Sequence, residues 1–199
     1  MRRNPSAFVL GIGALLLFVS VPFQVASQKG TQTLELKAIR QIRGNACGLA
    51  SLVSVLDYWD VDAKQRELIR RYPPDHGEDG YSLGRLKRIA QKKDLEGYAL
   101  YSDLGFLREQ IAKGRPVMVA LLVPYNMYSL DIIRKIPVYG KIFSYLTQAA
   151  TYSHFVVVRS VRDKQVRIMD PLHGLKTLPK PAFKAMWDKM DNAALLVAA

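Results

Sequence analysis

The 199-residue chain has one cysteine, Cys47, and only three histidines, His76, His154 and His173. A single cysteine excludes an internal disulfide, so the fold is not of the small, stapled secreted type. Zinc-finger spacing is absent as well, and no metal or cofactor is expected. Acidic residues are scarce: 17 against 29 Lys and Arg, a formal charge of +12. Such a surplus attracts anionic surfaces such as lipid head groups, envelope polymers or nucleic acid. The bases are dispersed, however, as in Lys64, Arg66, Arg70, Arg71 and then Arg85, Lys87, Arg88, Lys92, Lys93, which suits solvated helix faces. With no nucleic-acid module and no dense aromatic interleaving, a nucleic-acid partner is not expected. There is no internal repeat, and no apolar run of about 20 residues follows residue 28.

The one long apolar run, Ala7 to Phe23, follows Arg2 and Arg3 and precedes Gln24-Val25-Ala26-Ser27-Gln28. That order of charge, apolar stretch and small residues is a secretory signal. Val25 and Ser27 suit the two small positions before a cut, so residues 1–27 read as a signal peptide. The alternative is an uncleaved inner-membrane anchor, which a run of about 17 apolar residues just allows. The protein is expected to be periplasmic or exported. Loss of Arg2 and Arg3 leaves +10 on residues 28–199, a length that suits one monomeric domain whose core needs no staple.

A lone thiol in an oxidising compartment is easiest to understand if it is used. Cys47 sits where the turn Gln41-Ile42-Arg43-Gly44-Asn45-Ala46 runs into a helical pattern, with Leu52, Val53, Leu56 and Trp59 on one face. At a helix start, unpaired N–H groups and the dipole favour the thiolate. A small buried hydrophobe is the alternative reading.

Helices are expected over Cys47–Trp59, Asp62–Arg71 with Asp62 as N-cap, from Ser82 to Lys93, and from Asp103 to a stop at Gly114. Pro73 to Gly80 reads as a loop, and Tyr98–Tyr101 as a short strand. From Pro116 the period changes. Val117–Val123, Phe155–Val158 and Val166–Met169 read as strands, the last two joined by the turn Arg162-Asp163-Lys164-Gln165. A helix from Pro179 or Lys180 to Met190 and a strand over Ala194–Ala198 close an α+β domain. The stretch 124–153 is far longer than the usual connection of about 4–6 residues. It is apolar and crossed by Asp131, Arg134, Lys135 and Lys141. It reads as an insertion serving as a lid or a membrane- or partner-facing surface, or as helices completing the core.

A cysteine nucleophile needs a base, a group orienting the base, and oxyanion donors. His76 lies in a turn-rich loop and His173 in a turn, whereas His154 opens an apolar strand. Asp170 ends the next strand, so a hairpin about Asp163 would put both at one open end. Gln41, six residues before Cys47, could aim its amide at the oxyanion beside the Cys47 N–H.

On these residues the chain resembles a known family. Gln41–Trp59, QIRGNACGLASLVSVLDYW, is similar to the nucleophile segment of the C39-type, papain-like cysteine peptidases. These are the double-glycine leader peptidases found on bacteriocin exporters and as free-standing exported enzymes. GRPVMVALL at Gly114–Leu122, SHFVVV at Ser153–Val158 and VRIMDPLHG at Val166–Gly174 resemble the later blocks in order. The resemblance implies a nucleophile helix packed on a small antiparallel sheet. It implies Cys47 as nucleophile, His154 as base, Asp170 as its orienter and Gln41 as oxyanion residue. The implied substrate is a polypeptide, cut after a Gly-Gly type site. Two features depart from the common pattern: the longer stretch before His154, and the lack of a following transporter domain. The latter is like the stand-alone members, some encoded with exported amyloid or secretion systems, and makes an envelope protein the expected partner. A binding module without activity and a cysteine acyltransferase are the competing functions.

Overall fold

The computed structural model describes residues 32–74, 80–125 and 151–199. The expected signal or anchor at 1–27, His76 and residues 126–150 of the expected insertion lie outside them. Among the described residues three helices come first: α1 (Cys47–Tyr58), α2 (Gln65–Arg71) and α3 (Leu83–Gln91). Strand β1 (Glu96–Tyr101), helix α4 (Leu104–Ala112), and strands β2 (Val117–Pro124), β3 (Thr151–Val161), β4 (Gln165–Asp170) and β5 (Gly174–Pro179) follow. Helix α5 (Lys180–Asp188) and strand β6 (Ala193–Ala198) close the chain. The strands form one sheet of order β1-β6-β2-β3-β4-β5, antiparallel at every pair. The α+β expectation holds, and β5, unmarked by any apolar run, is an added strand.

Both faces of this sheet are covered. Leu49, Leu52 and Leu56 of α1, with Leu86 and Ile89 of α3, pack against Met118, Val157, Met169, Leu195 and Val197. On the opposite face, Leu107 of α4 and Phe183 and Trp187 of α5 pack against Val117, Val119, Val156, Val158 and Ile168. A strand buried on both sides has no polar face, which is why Val117–Val123 reads as an unbroken apolar run.

Local signals set the starts of α3 and α4. The Ser82 side chain accepts from the Arg85 N–H, and that of Asp103 accepts from the Phe106 N–H, as N-caps do. Gly114, at φ +73°, takes the left-handed turn before β2. Asp62 does not cap α2, which begins three residues later behind Lys64. The expected single apolar face of α1 is also too narrow, because every residue from Gly48 to Leu56 is buried. From Gly48 to Leu56 the helix lies inside the domain, and its two serines are tied there. The Ser51 hydroxyl donates to the Phe155 carbonyl and that of Ser54 to the Lys37 carbonyl. At the far end, Tyr58 donates to the Gly114 carbonyl and the Trp59 indole to that of Val197.

The segment before α1 runs along β3. Leu34 donates to the carbonyl of Arg159, which sits at a register shift between Val158 and Ser160. The Arg159 guanidinium in turn donates to the Leu34 carbonyl and pairs with Glu35 at 3.0 Å. A bulge frees backbone groups from the ladder, and here they hold this strap. Strands β2 and β3 reach into the stretch 124–153, with Val123 opposite Tyr152 and Pro124 opposite Thr151.

Candidate active site

Cys47 is the first residue of α1, and no side chain caps the helix. The first-turn amides are therefore open to the sulfur. The Gly48 N–H donates to it, and so does the N–H of Phe155 from β3. The thiol is hydrogen-bonded to the ring of His154. The opposite ring nitrogen, Nε2, lies 3.0 Å from Asp170 Oδ1, so Nδ1 is the atom turned to the sulfur.

His154 and Asp170 are both buried, at 2% and 0% exposure. Their strands make the hairpin about the turn at residues 162–165, closed by the bond from the Arg162 N–H to the Gln165 carbonyl. Asp170 Oδ1 also accepts from the backbone N–H groups of Leu172, at 2.7 Å, and His173, at 3.1 Å. An Asp-Pro turn of this kind satisfies the carboxylate locally and fixes its direction. His173 brings its Nδ1 to 3.4 Å from the same oxygen, so it belongs to the surroundings of Asp170.

These neighbours set the charges. Burial pushes the Cys47 thiol up, but His154 and the two N–H groups outweigh it, and the pKa is lowered from 9.0. Burial pushes the His154 imidazole down, while Asp170 and the Cys47 sulfur raise it to about 9. Both shifts run toward a thiolate and an imidazolium, each charge stabilising the other.

Gln41 stands at the base of the loop. Its backbone N–H donates to the Pro171 carbonyl, next to Asp170. Its side-chain Nε2 donates to the carbonyls of Arg43 and Gly44, at 2.9 and 3.0 Å. Both amide protons thus brace the loop that ends in Cys47, and one must be released to reach an oxyanion. The fold brings Cys47, His154 and Asp170 into one hydrogen-bonded chain, with Gln41 in the adjoining loop.

Two aromatic neighbours carry no sequence signal of their own. The Tyr152 ring lies 5.6 Å from that of His154, and the Tyr125 ring 4.9 Å from Tyr152. Their separation of 27 positions hides a proximity created by the β2–β3 pairing. Among the described residues no cluster of His, Cys, Asp and Glu is arranged to hold a metal ion.

Solved structures similar in fold include a Bacillus anthracis protein described as C39-like peptidase. It is 17% identical with a TM-score of 0.63, over 85% of this chain and 98% of that one. Another is the peptidase domain of Streptococcus ComA, a bi-functional ABC transporter involved in a quorum sensing pathway. It is 17% identical with a TM-score of 0.56, over 82% and 97%. A double glycine motif protease from an AMS/PCAT transporter, in complex with the leader peptide, matches with 17% identity and a TM-score of 0.52, over 84% and 95%. No curated protein matches the sequence. The model of the Peptidase_C39 like family matches residues 33–195. The chain belongs to the Peptidase_C39 like family.

Proposed function

We propose that the protein is a cysteine peptidase that hydrolyses a peptide bond in an exported or cell-envelope polypeptide. The observation that carries this reading is the hydrogen-bonded chain of half-buried Cys47 with buried His154 and Asp170 at the uncapped start of α1. The Cys47 thiolate attacks the scissile carbonyl carbon, and the carbonyl π electrons move to oxygen. The oxyanion is received by the Cys47 N–H and by the Gln41 amide once it turns from the loop. His154 gives its proton to the leaving amine as the C–N bond breaks, then takes one from the water that hydrolyses the thioester. Asp170 holds the ring and its charge throughout.

A polypeptide substrate is supported by the double glycine motif protease of similar fold, which was solved with a leader peptide. The preference for a Gly-Gly type site rests on the family resemblance. Export, with residues 1–27 as signal or anchor, rests on the order of Arg2, Arg3, the apolar run and Val25-Ala26-Ser27.

The direct test compares rates of thiol alkylation at neutral pH. Cys47 in the folded protein should react with iodoacetamide much faster than free cysteine, and His154→Ala should bring it to the rate of an ordinary thiol. Slow labelling that is indifferent to His154→Ala overturns the peptidase reading.

A further inference from the structure

The peptidase reading leaves unexplained why two tyrosines line up on the catalytic imidazole. Tyr152 stands two residues before His154 on β3, so both project from the same side of the strand. Its ring is tilted 59° to the imidazole at 5.6 Å, and Tyr125 continues the row at 4.9 Å with a 44° tilt. Tyr125 is 69% exposed, so the row runs from solvent to the catalytic ring. Burial pushes the Tyr152 hydroxyl up to about 12, with Asp170, Cys47 and Tyr125 adding to the shift. The phenol therefore stays neutral at any working pH and presents an uncharged aromatic face.

In the proposed reaction, His154 must hand its proton to the amine that departs. The leaving-group half of the substrate therefore lies against the imidazole, and what flanks the imidazole flanks that half. We propose that Tyr152 and Tyr125 form a subsite for an apolar or aromatic side chain on the leaving-group side of the scissile bond. Flat aromatic faces that lose little conformational freedom on binding suit such a side chain, and the half-buried Tyr152 supplies the floor. The inference rests on the peptidase reading.

The leaving-group subsite can be examined by running the second half-reaction with an amine in place of water. N-acetylglycine p-nitrophenyl ester would acylate the Cys47 sulfur and release p-nitrophenolate. Glycinamide or phenylalaninamide would then compete with water for the thioester. The amine nitrogen bonds to the acyl carbon, the C–S bond breaks, sulfur keeps its electron pair, and the amine proton goes to His154, whose earlier proton passes to water because p-nitrophenolate departs as the anion. The ratio of amide formed from phenylalaninamide to that from glycinamide should exceed the ratio in Tyr125→Ala and Tyr152→Ala by about threefold to tenfold. Tyr152→Phe should keep it. Equal ratios in wild type and Tyr125→Ala, whose exposed ring can be removed without harm to the core, overturn the subsite. If wild type releases no more p-nitrophenolate than Cys47→Ala, the peptidase reading itself falls, and the subsite with it.

Discussion

Pro171 takes the place in the sheet where β4 would otherwise pair with Phe155. Val157 pairs with Met169, and continuing that register by two residues sets Pro171 opposite Phe155. Proline has no N–H for a ladder, and the pairing ends at this point. The edge of β3 left open is filled by α1. The Phe155 N–H turns to the Cys47 sulfur, and the Phe155 carbonyl accepts from Ser51. The Pro171 carbonyl takes the N–H of Gln41. One imino acid thus ends a strand, opens an edge for α1 and anchors the loop before it.

Activity should follow a bell-shaped pH profile. The active pair is thiolate with imidazolium, so the rate rises as Cys47 loses its proton below the ordinary thiol value of 9.0. It falls as His154 loses its own at about 9. In Asp170→Asn the imidazolium loses its anionic partner, so its pKa drops and the alkaline limb moves to lower pH. Asparagine keeps an oxygen for the Leu172 and His173 amides, so the turn survives. Alkylation of Cys47 from pH 5 to 10 would reveal the acid limb, which needs the thiolate alone, and turnover of a peptide substrate the alkaline limb, which needs the His154 proton. An alkaline limb that stays put in Asp170→Asn denies Asp170 its role.

Gln41→Ala separates two duties of one side chain. Loss of an oxyanion donor costs about 10²–10³-fold in turnover. Alkylation by iodoacetamide passes through no oxyanion, and its rate should stay near wild type. Equal losses in both assays would mean that Gln41 acts only by bracing Arg43 and Gly44.

Gly48→Ala should disturb the site without touching a reactive group. A Cβ at Gly48 would stand 2.9 Å from Leu86 Cδ1 and 3.0 Å from Phe155 Cδ2. Relief requires Phe155 to move, and its N–H faces the sulfur. We expect a destabilisation of about 1–3 kcal/mol, measured by urea denaturation, together with slower alkylation of Cys47. An unchanged alkylation rate in the folded variant would uncouple Phe155 from the thiolate.

Ser51→Ala leaves the Phe155 carbonyl without its donor inside the domain. The cost should be about 1–3 kcal/mol, the range for a buried acceptor left unpaired. Ser51→Thr tests only whether the extra methyl fits. Wild-type stability in Ser51→Ala would show that the helix is held to β3 by apolar packing alone.

The chain carries the proposed nucleophile, base and orienter as local signals. A lone Cys47 follows a Gly-containing turn at a helix start, His154 opens an apolar strand, and Asp170 stands before a proline. The capping residues Ser82 and Asp103 and the turn glycine Gly114 are equally local, because each acts on backbone within three residues of itself. What faces what is another matter. An apolar run such as Val117–Val123 has no preferred face, so it cannot say that α4 and α5 cover one side and α1 to α3 the other. Strand β5 has no apolar run because it is an edge strand, with Leu175 and Thr177 exposed, and pairing with β4 makes it a strand. Likewise Asp62 satisfies the composition of a cap, yet the chain enters α2 only after Lys64. The Gln41 N–H reaches the Pro171 carbonyl, and Tyr125 meets Tyr152, through contacts that depend on where the β2–β3 and β3–β4 registers stop. Residue types supply the chemistry of the site because pKa and hydrogen-bonding capacity belong to side chains. Pairing registers decide which of those side chains meet, since contacts between distant segments form only when the sheet and its two helical layers close together.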